Sequence, residues 1–578
     1  MNRSVLLAVL VASVHTFVGV SGLVGQPPPP PPPIPTPPIP KVPDPAKPAQ
    51  PQPAQPKPGQ PKPGQTKPGD TPAKGSGTPA STDPANDEPV PTVPSANAFI
   101  LGFDHALLPE RYSGRVYLIF ATRATREPRL QFGDWFAKVQ FIAADVRGLT
   151  AGQSLSLADV SLGWPVPPRD IPPGEYIVQA VARVNTDSPK PGRGAGDLFS
   201  EPVKIRIDPA KATQKVATIR LASAVKPRDL RETERVKFVD IKSDALSEFA
   251  GREVRQKAGV ILPKGWTDDP AASHPTLVWV GGFGSDHASA LALAGMFDRL
   301  PGADRCLIIV PDPSCFHGHS VFADSATNGP RGRALVDELI PFVESRFHGA
   351  KSGQRRFVSG MSSGGWSSLW LQVEYPDAFN GCWSHCPDPV DFRDFQRINL
   401  YAPDANMYKD PAGNRRPIAR RGDTPLLWFD DFVAQEAVMG PGGQIHSFEA
   451  VFSPRSLSGD PVPLFDRSTG RVDPAVARAW EPFDIRLKLE REWSSRGPKL
   501  AGKIHVYAGE VDTFLLEGAA KLLKDALAGL NSDARIDVIS GMAHDIHRPG
   551  LESMFRAIAA RTGNPLPEGA STPATPSP

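Results

Sequence analysis

The chain has 578 residues, with 64 lysines and arginines set against 62 aspartates and glutamates, a formal net charge of +2. Such a balance lacks the basic excess that nucleic-acid binding requires. With 67 prolines unevenly placed and four cysteines confined to the second half, the chain divides into regions that must be read separately.

Met1 to Val24 carries Arg3 and then an apolar run with small residues at Gly19, Ser21 and Gly22. The pattern reads as an export signal over residues 1–25, with an uncleaved membrane anchor as the alternative. A secreted or cell-envelope location follows from either. Residues 26–95 hold seven consecutive prolines and the near-repeat around Lys57, Lys62 and Lys67. Without large apolar side chains, and with most prolines removing a backbone donor, this segment cannot form a core and reads as an extended, disordered tether.

From about Ala96 to Pro209 the pattern becomes alternation: Arg115 to Phe120, Lys138 to Ile142, Tyr176 to Val181 and Val203 to Ile207. Half-buried strands at such intervals, separated by Pro- and Gly-rich loops, predict a small β-sandwich of immunoglobulin-like type over 96–209. A stretch of alternating charge, Lys226 to Arg255, then leads into a region where short, continuously apolar runs alternate with helical patterns. Thr276 to Val280, Cys306 to Val310 and Phe357-Val358 are such runs. They predict an α/β domain over 217–563 with a mostly parallel sheet covered on both faces. Residues 564–578 read as a disordered tail.

Phe357 to Trp366 contains Gly360-Met361-Ser362-Ser363-Gly364, a Gly-x-Ser-x-Gly pattern between an apolar strand and a helical run. A serine on such a strand-to-helix turn is a nucleophile elbow, which makes Ser362 the candidate nucleophile. Serine needs a base, and the base needs an acid to orient it. Downstream, the strand Lys503 to Ala508 runs into Gly509 to Phe514, where Asp512 is the favoured acid and Glu510 the alternative. The next strand, Ala534 to Ile539, ends in Ser540 to His547, where His544 is the favoured base and His547 the alternative. Nucleophile, acid and base then fall in α/β-hydrolase order. For the oxyanion, one backbone N–H is expected from Ser363. The other is expected from the glycine-rich loop after Val280, with Phe283 favoured and Gly282 second.

Cys306, Cys315, Cys382 and Cys386 allow a disulfide in an exported chain, with Cys315 to Cys386 the preferred pairing. A metal site combining these thiols with His317, His319 and His385 is the alternative, and its spacing matches no standard zinc pattern; the expected metal content is none.

Gly282-Phe283-Gly284, the segment His319 to Pro330, Leu339-Ile340-Pro341, Gly360 to Gly365 and Tyr375 to Phe379 together resemble the putative esterase family, which includes esterase D-like, feruloyl-esterase-like and antigen 85-like proteins. The resemblance spans about Val216 to Arg561. It implies an α/β-hydrolase fold, a Ser-acid-His triad with Ser362 as nucleophile, and no metal or organic cofactor. Two departures stand out: Gly281 occupies a position where many members have histidine, and residues 387–499 form a long insertion, rich in aromatic residues, that reads as a cap.

The expected protein is therefore an exported serine esterase acting on carboxylic esters, carbohydrate- or envelope-linked esters among them. Acyl transfer and peptide cleavage are the alternatives on the same fold, and a catalytically inactive envelope-binding protein is the non-enzyme alternative.

Overall fold

The computed structural model describes residues 90–567, apart from 109, 124 and 151. The leader, nearly all of the tether and residues 568–578 lie outside the described residues.

An eight-stranded sheet positions the site. Its strands are β1 (Val236–Ser243), β2 (Val254–Ile261), β3 (Thr276–Val280), β4 (Leu307–Pro311), β5 (Arg356–Met361), β6 (Cys382–His385), β7 (Ile504–Gly509) and β8 (Arg535–Ile539). Their spatial order is β1-β2-β4-β3-β5-β6-β7-β8. β2 pairs antiparallel with β1 and with β4, and the other five pairings are parallel. The sheet is thus mixed and mostly parallel, an α/β-hydrolase-like arrangement.

Burial on both faces explains the continuous apolar runs. Leu277 and Trp279 of β3 pack with Ile308 and Val310 of β4 against Phe297, Met554 and Phe555 on one side. Val278, Val280 and Ile309 pack on the other side with Trp366, Leu369 and the insertion. The two antiparallel strands were not distinguishable in the sequence as strands. β1 carries Lys237, Asp240 and Lys242 because it is the sheet's edge, and charge on an edge strand discourages pairing with other chains.

The insertion packs into the main core. It includes a hairpin, Pro417–Arg421 with Thr424–Trp428, and the helices Phe429–Met439, Gln444–Phe452 and Ile485–Leu500. Phe392, Phe395 and Trp480 are at most 1% exposed and form an aromatic cluster with Phe452, which in turn meets Trp366 of the helix after the elbow at 5.2 Å. Burying a side chain of this size contributes roughly 1.5–3 kcal/mol. Through Phe452 this cluster packs against the helix after the elbow.

The N-terminal region is all-β, as its alternation predicts. However, its ten strands join one hydrogen-bonded network that branches at Gly174–Ala182, instead of forming the two separate sheets of the expected sandwich. Its first strand, Thr92–Val93, pairs with Val203–Ile207 and lies ahead of the expected boundary at Ala96. The strand Arg111–Ala121 is buried on both faces along its second half. Val116, Leu118 and Phe120 face the region's own core. Tyr117 and Ile119 face a second cluster that contains Val438 from the insertion. Docking is anchored by polar contacts at the end of the helix Phe429–Met439, whose last carbonyls have no partners within the helix. Arg115 Nη1 donates to the carbonyls of Ala437 (2.8 Å) and Val438 (3.0 Å), and the Tyr117 hydroxyl donates to that of Met439 (2.5 Å). Arg183 adds bonds to the carbonyls of Pro441 and Phe316. Contacts of this kind place the N-terminal strands and the hydrolase region in a single compact unit.

Candidate active site

Ser362 stands between β5 and the helix Ser363–Glu374 with φ 60° and ψ −125°, a conformation that L-residues adopt only under constraint. The constraint is steric and comes from both sides. A Cβ on Gly360 would lie 2.3 Å from the Gly364 carbonyl oxygen, and one on Gly364 would lie 2.0 Å from that of Val280. Only glycine lets strand, turn and neighbouring strand close together here. The Ser362 N–H donates to the His385 carbonyl (2.9 Å) and the Ser362 carbonyl accepts from Trp366 N (2.9 Å), which ties the turn to β6 and to the helix.

The loops after β7 and β8 carry the predicted acid and base. Asp512 is fully buried. Its Oδ1 accepts from Phe514 N at 2.8 Å and its Oδ2 lies 2.8 Å from His544 Nδ1. The two loops interlock: Glu510 N donates to Ile539 O (2.9 Å) and Val511 N to Met542 O (3.1 Å). A Cβ on Gly509 would stand 2.2 Å from the Ala543 carbonyl, so glycine at the end of β7 permits the approach. Burial opposes a charged imidazole at His544, but the Asp512 charge and hydrogen bond outweigh it and hold the His544 pKa well above its ordinary value.

The alternative residues have other partners. Glu510 is exposed and accepts from Ser540 Oγ (2.8 Å) and Gly541 N (3.1 Å), so it braces the turn before the histidine, and these bonds lower its pKa. His547 donates its backbone N–H to His385 Nδ1 (3.2 Å) and lies edge-on to Tyr507.

The loop after β3 reaches Ser362: a carbon placed on Gly282 would stand 3.3 Å from Ser362 Cβ and 3.9 Å from its Oγ. Phe283 is the next residue, and its ring is stacked on Trp135. The sequence offered no reading of what holds this loop. Buried His319 does so, with Nε2 3.0 Å from the Gly281 carbonyl and Nδ1 accepting from Val321 N at 3.0 Å. That pattern assigns the proton to Nε2. Burial pushes the His319 pKa down to about 4, so the ring stays neutral and the bond to Gly281 persists.

A second buried carboxylate, Asp388, was also missed. Its Oδ2 accepts from Ser363 Oγ (2.5 Å) and Gln444 Nε2 (3.3 Å), and its backbone N–H donates to Ser362 O (3.3 Å). Burial raises its pKa to about 6, against the opposing effect of hydrogen bonds from the Ser363 and Ser362 hydroxyls. Asp388 lies just beyond the end of β6, the kind of position that singled out Asp512 beyond β7.

The expected disulfide is not formed. All four cysteines are free and buried. Cys315 Sγ points to Asn328 Oδ1 (3.7 Å), whereas Cys386 Sγ points to Asp545 O (3.3 Å), beside the base loop. The alternative metal grouping is not assembled either: both His319 nitrogens are occupied by the backbone, and His385 Nδ1 accepts from His547 N. Among the described residues, Cys386, Asp512 and His544 do bring a thiol, a carboxylate and an imidazole within 4.8 Å of one another. The imidazole and carboxylate of that group are already joined to each other.

A constrained serine on a strand-to-helix turn, over a sheet of this order, defines the class: a serine hydrolase of α/β-hydrolase type. Residues 251–501, less than half of the chain, match the family described as Putative esterase, and this match supports a carboxylic ester hydrolase. The matched span includes Ser362 and ends before Asp512 and His544. No curated protein sequence matches the chain. Among solved structures, a ferulic acid esterase is 14% identical, with 57% of this chain and 98% of that one covered, at a TM-score of 0.34. An S-formylglutathione hydrolase from Agrobacterium tumefaciens is 13% identical over 56% of this chain and 95% of its own, at 0.34. A fluorophosphonate-binding serine hydrolase of Staphylococcus aureus is 15% identical over 57% and 98%, at 0.33. At these scores the family match carries the assignment.

Proposed function

We propose that the protein is an exported serine esterase in which Ser362, His544 and Asp512 act as nucleophile, base and orienting acid. The observation that carries this reading is the 2.8 Å Asp512–His544 pair in the loops after β7 and β8, together with a serine held at φ 60° after β5 of the same sheet. His544 takes the hydroxyl proton as Ser362 Oγ attacks the ester carbonyl, and Asp512 fixes the tautomer and stabilises the imidazolium. Backbone N–H groups of Phe283 and Ser363 stabilise the developing oxyanion. His544 then protonates the departing alcohol and activates the water that releases the acid. Export follows from the reading of Met1 to Val24, and the preceding tether holds the enzyme away from a surface.

Paired histidine variants test the assignment. His544→Ala is expected to lose at least ~10³ in kcat on a chromogenic aryl ester, whereas His547→Ala and Glu510→Gln stay within about tenfold of the parent. The larger loss at His547 or Glu510 would move the base or the acid to that residue.

A further inference from the structure

The segment joining two N-terminal strands, Arg111–Ala121 and Gln140–Thr150, brings Trp135 to the catalytic loops. Its ring stacks on Phe283 at 5.4 Å and 23°. It lies edge-on to Phe514 at 5.8 Å and to Phe432 at 5.2 Å. Phe514 in turn lies edge-on to the His544 ring at 4.8 Å, and its N–H bonds Asp512 Oδ1. Trp135 thus touches the side chain of the expected oxyanion residue and the residue two positions beyond the acid. Yet Trp135 lies outside the span that matches the esterase family.

The placement is built. Gln435 Nε2 donates to Asp134 O (3.0 Å), Phe136 N donates to Asp134 Oδ1 (2.9 Å), and Lys190 Nζ donates to Gly284 O (3.0 Å). The tip carrying Trp135 is therefore held to the insertion, and a second N-terminal loop is held to the oxyanion loop. Phe432 is buried, but Trp135, Phe283 and Phe514 are each only half-buried. They leave aromatic surface open beside the reacting centre. A flat apolar group lying on it would gain both burial and ring-on-ring contact.

We infer that the N-terminal β region completes the active site, and that Trp135 is a specificity-determining residue which, with Phe283 and Phe514, receives a planar apolar group of the ester. This rests on the esterase reading above. The test uses the full chain and two ester series. In one the acyl group runs from acetyl to benzoyl at constant p-nitrophenol. In the other the alcohol runs from methyl to naphthyl at constant acetate.

In one series, Trp135→Ala is expected to lower the preference for the aromatic member, measured as a ratio of kcat/KM values, by about 10- to 100-fold. The loss should fall mainly in KM, and Trp135→Phe should recover most of it. Equal losses on large and small esters in both series would show that Trp135 only supports the oxyanion loop, and would overturn the proposal; so would an unchanged preference. Trp135→Phe keeps the test open should the alanine variant fail to fold. A parent with no turnover of any ester, or an active Ser362→Ala variant, would instead overturn the esterase mechanism, so the two failures are distinguishable.

Discussion

Ser362→Ala is expected to reduce ester turnover by roughly 10⁴- to 10⁶-fold while the protein folds as the parent does. The loss is large because the covalent route disappears altogether; what remains is binding and oxyanion stabilisation. Folding is preserved because the turn is closed by Gly360, Gly364 and backbone bonds from Ser362 N and O, all of which alanine keeps. Comparison of kcat with the thermal unfolding midpoint separates the two effects. A fall in the midpoint that matches the fall in activity would place Ser362 in the structure alone.

Asp512→Asn carries the second large effect, a loss of about 10⁴ in kcat. The amide can present its NH₂ to His544 Nδ1, which stabilises the wrong tautomer and withdraws the charge that favours the imidazolium. The same charge sets the pH dependence. His544 must be neutral to accept the serine proton, and its pKa is held well above 6.5 by Asp512. Activity of the parent should therefore rise with pH along a limb lying above 6.5, and in Asp512→Asn that limb should move down. The linked stability has a definite sign. A raised folded-state pKa means the pair's contribution is fully present below the unfolded histidine value and is lost as pH rises through the folded one. The pH dependence of kcat/KM and of the unfolding midpoint, measured on parent and variant, checks both.

The features legible in the sequence were those written into local patterns. Ser362 was legible because glycines two before and two after it sit between an apolar run and a helical one. Asp512 and His544 were legible because each follows a buried parallel strand, in a loop with a glycine. What was missed depends on contacts between distant segments. β1 and β2 were hidden by surface charge. Tyr117 and Ile119 alternate with core residues and read as a solvent face, yet they are covered by the end of the helix Phe429–Met439, more than 300 residues away. His319 gave no sign that it would hold Gly281, and nothing local in Asp134-Trp135-Phe136 points to a loop at Phe283. The aromatics of 387–499 read as a cap, and composition does not tell which of those rings pack together beside the helix after the elbow, as Phe392, Phe395, Phe452 and Trp480 do. The Cys315 to Cys386 pairing failed for a related reason: both lie past strand ends, but their thiols are turned to different partners.

In the proposed mechanism Ser362 is the activated nucleophile of the site. Treating the full chain with a fluorophosphonate and mapping the adduct by peptide mass spectrometry tests it most directly, since the reagent bonds to a serine oxygen that a base has activated. One stoichiometric adduct is expected, on Ser362 Oγ, lost in Ser362→Ala and strongly slowed in His544→Ala; an adduct on another residue, or equal labelling of the Ser362→Ala variant, would rule out Ser362 as the nucleophile.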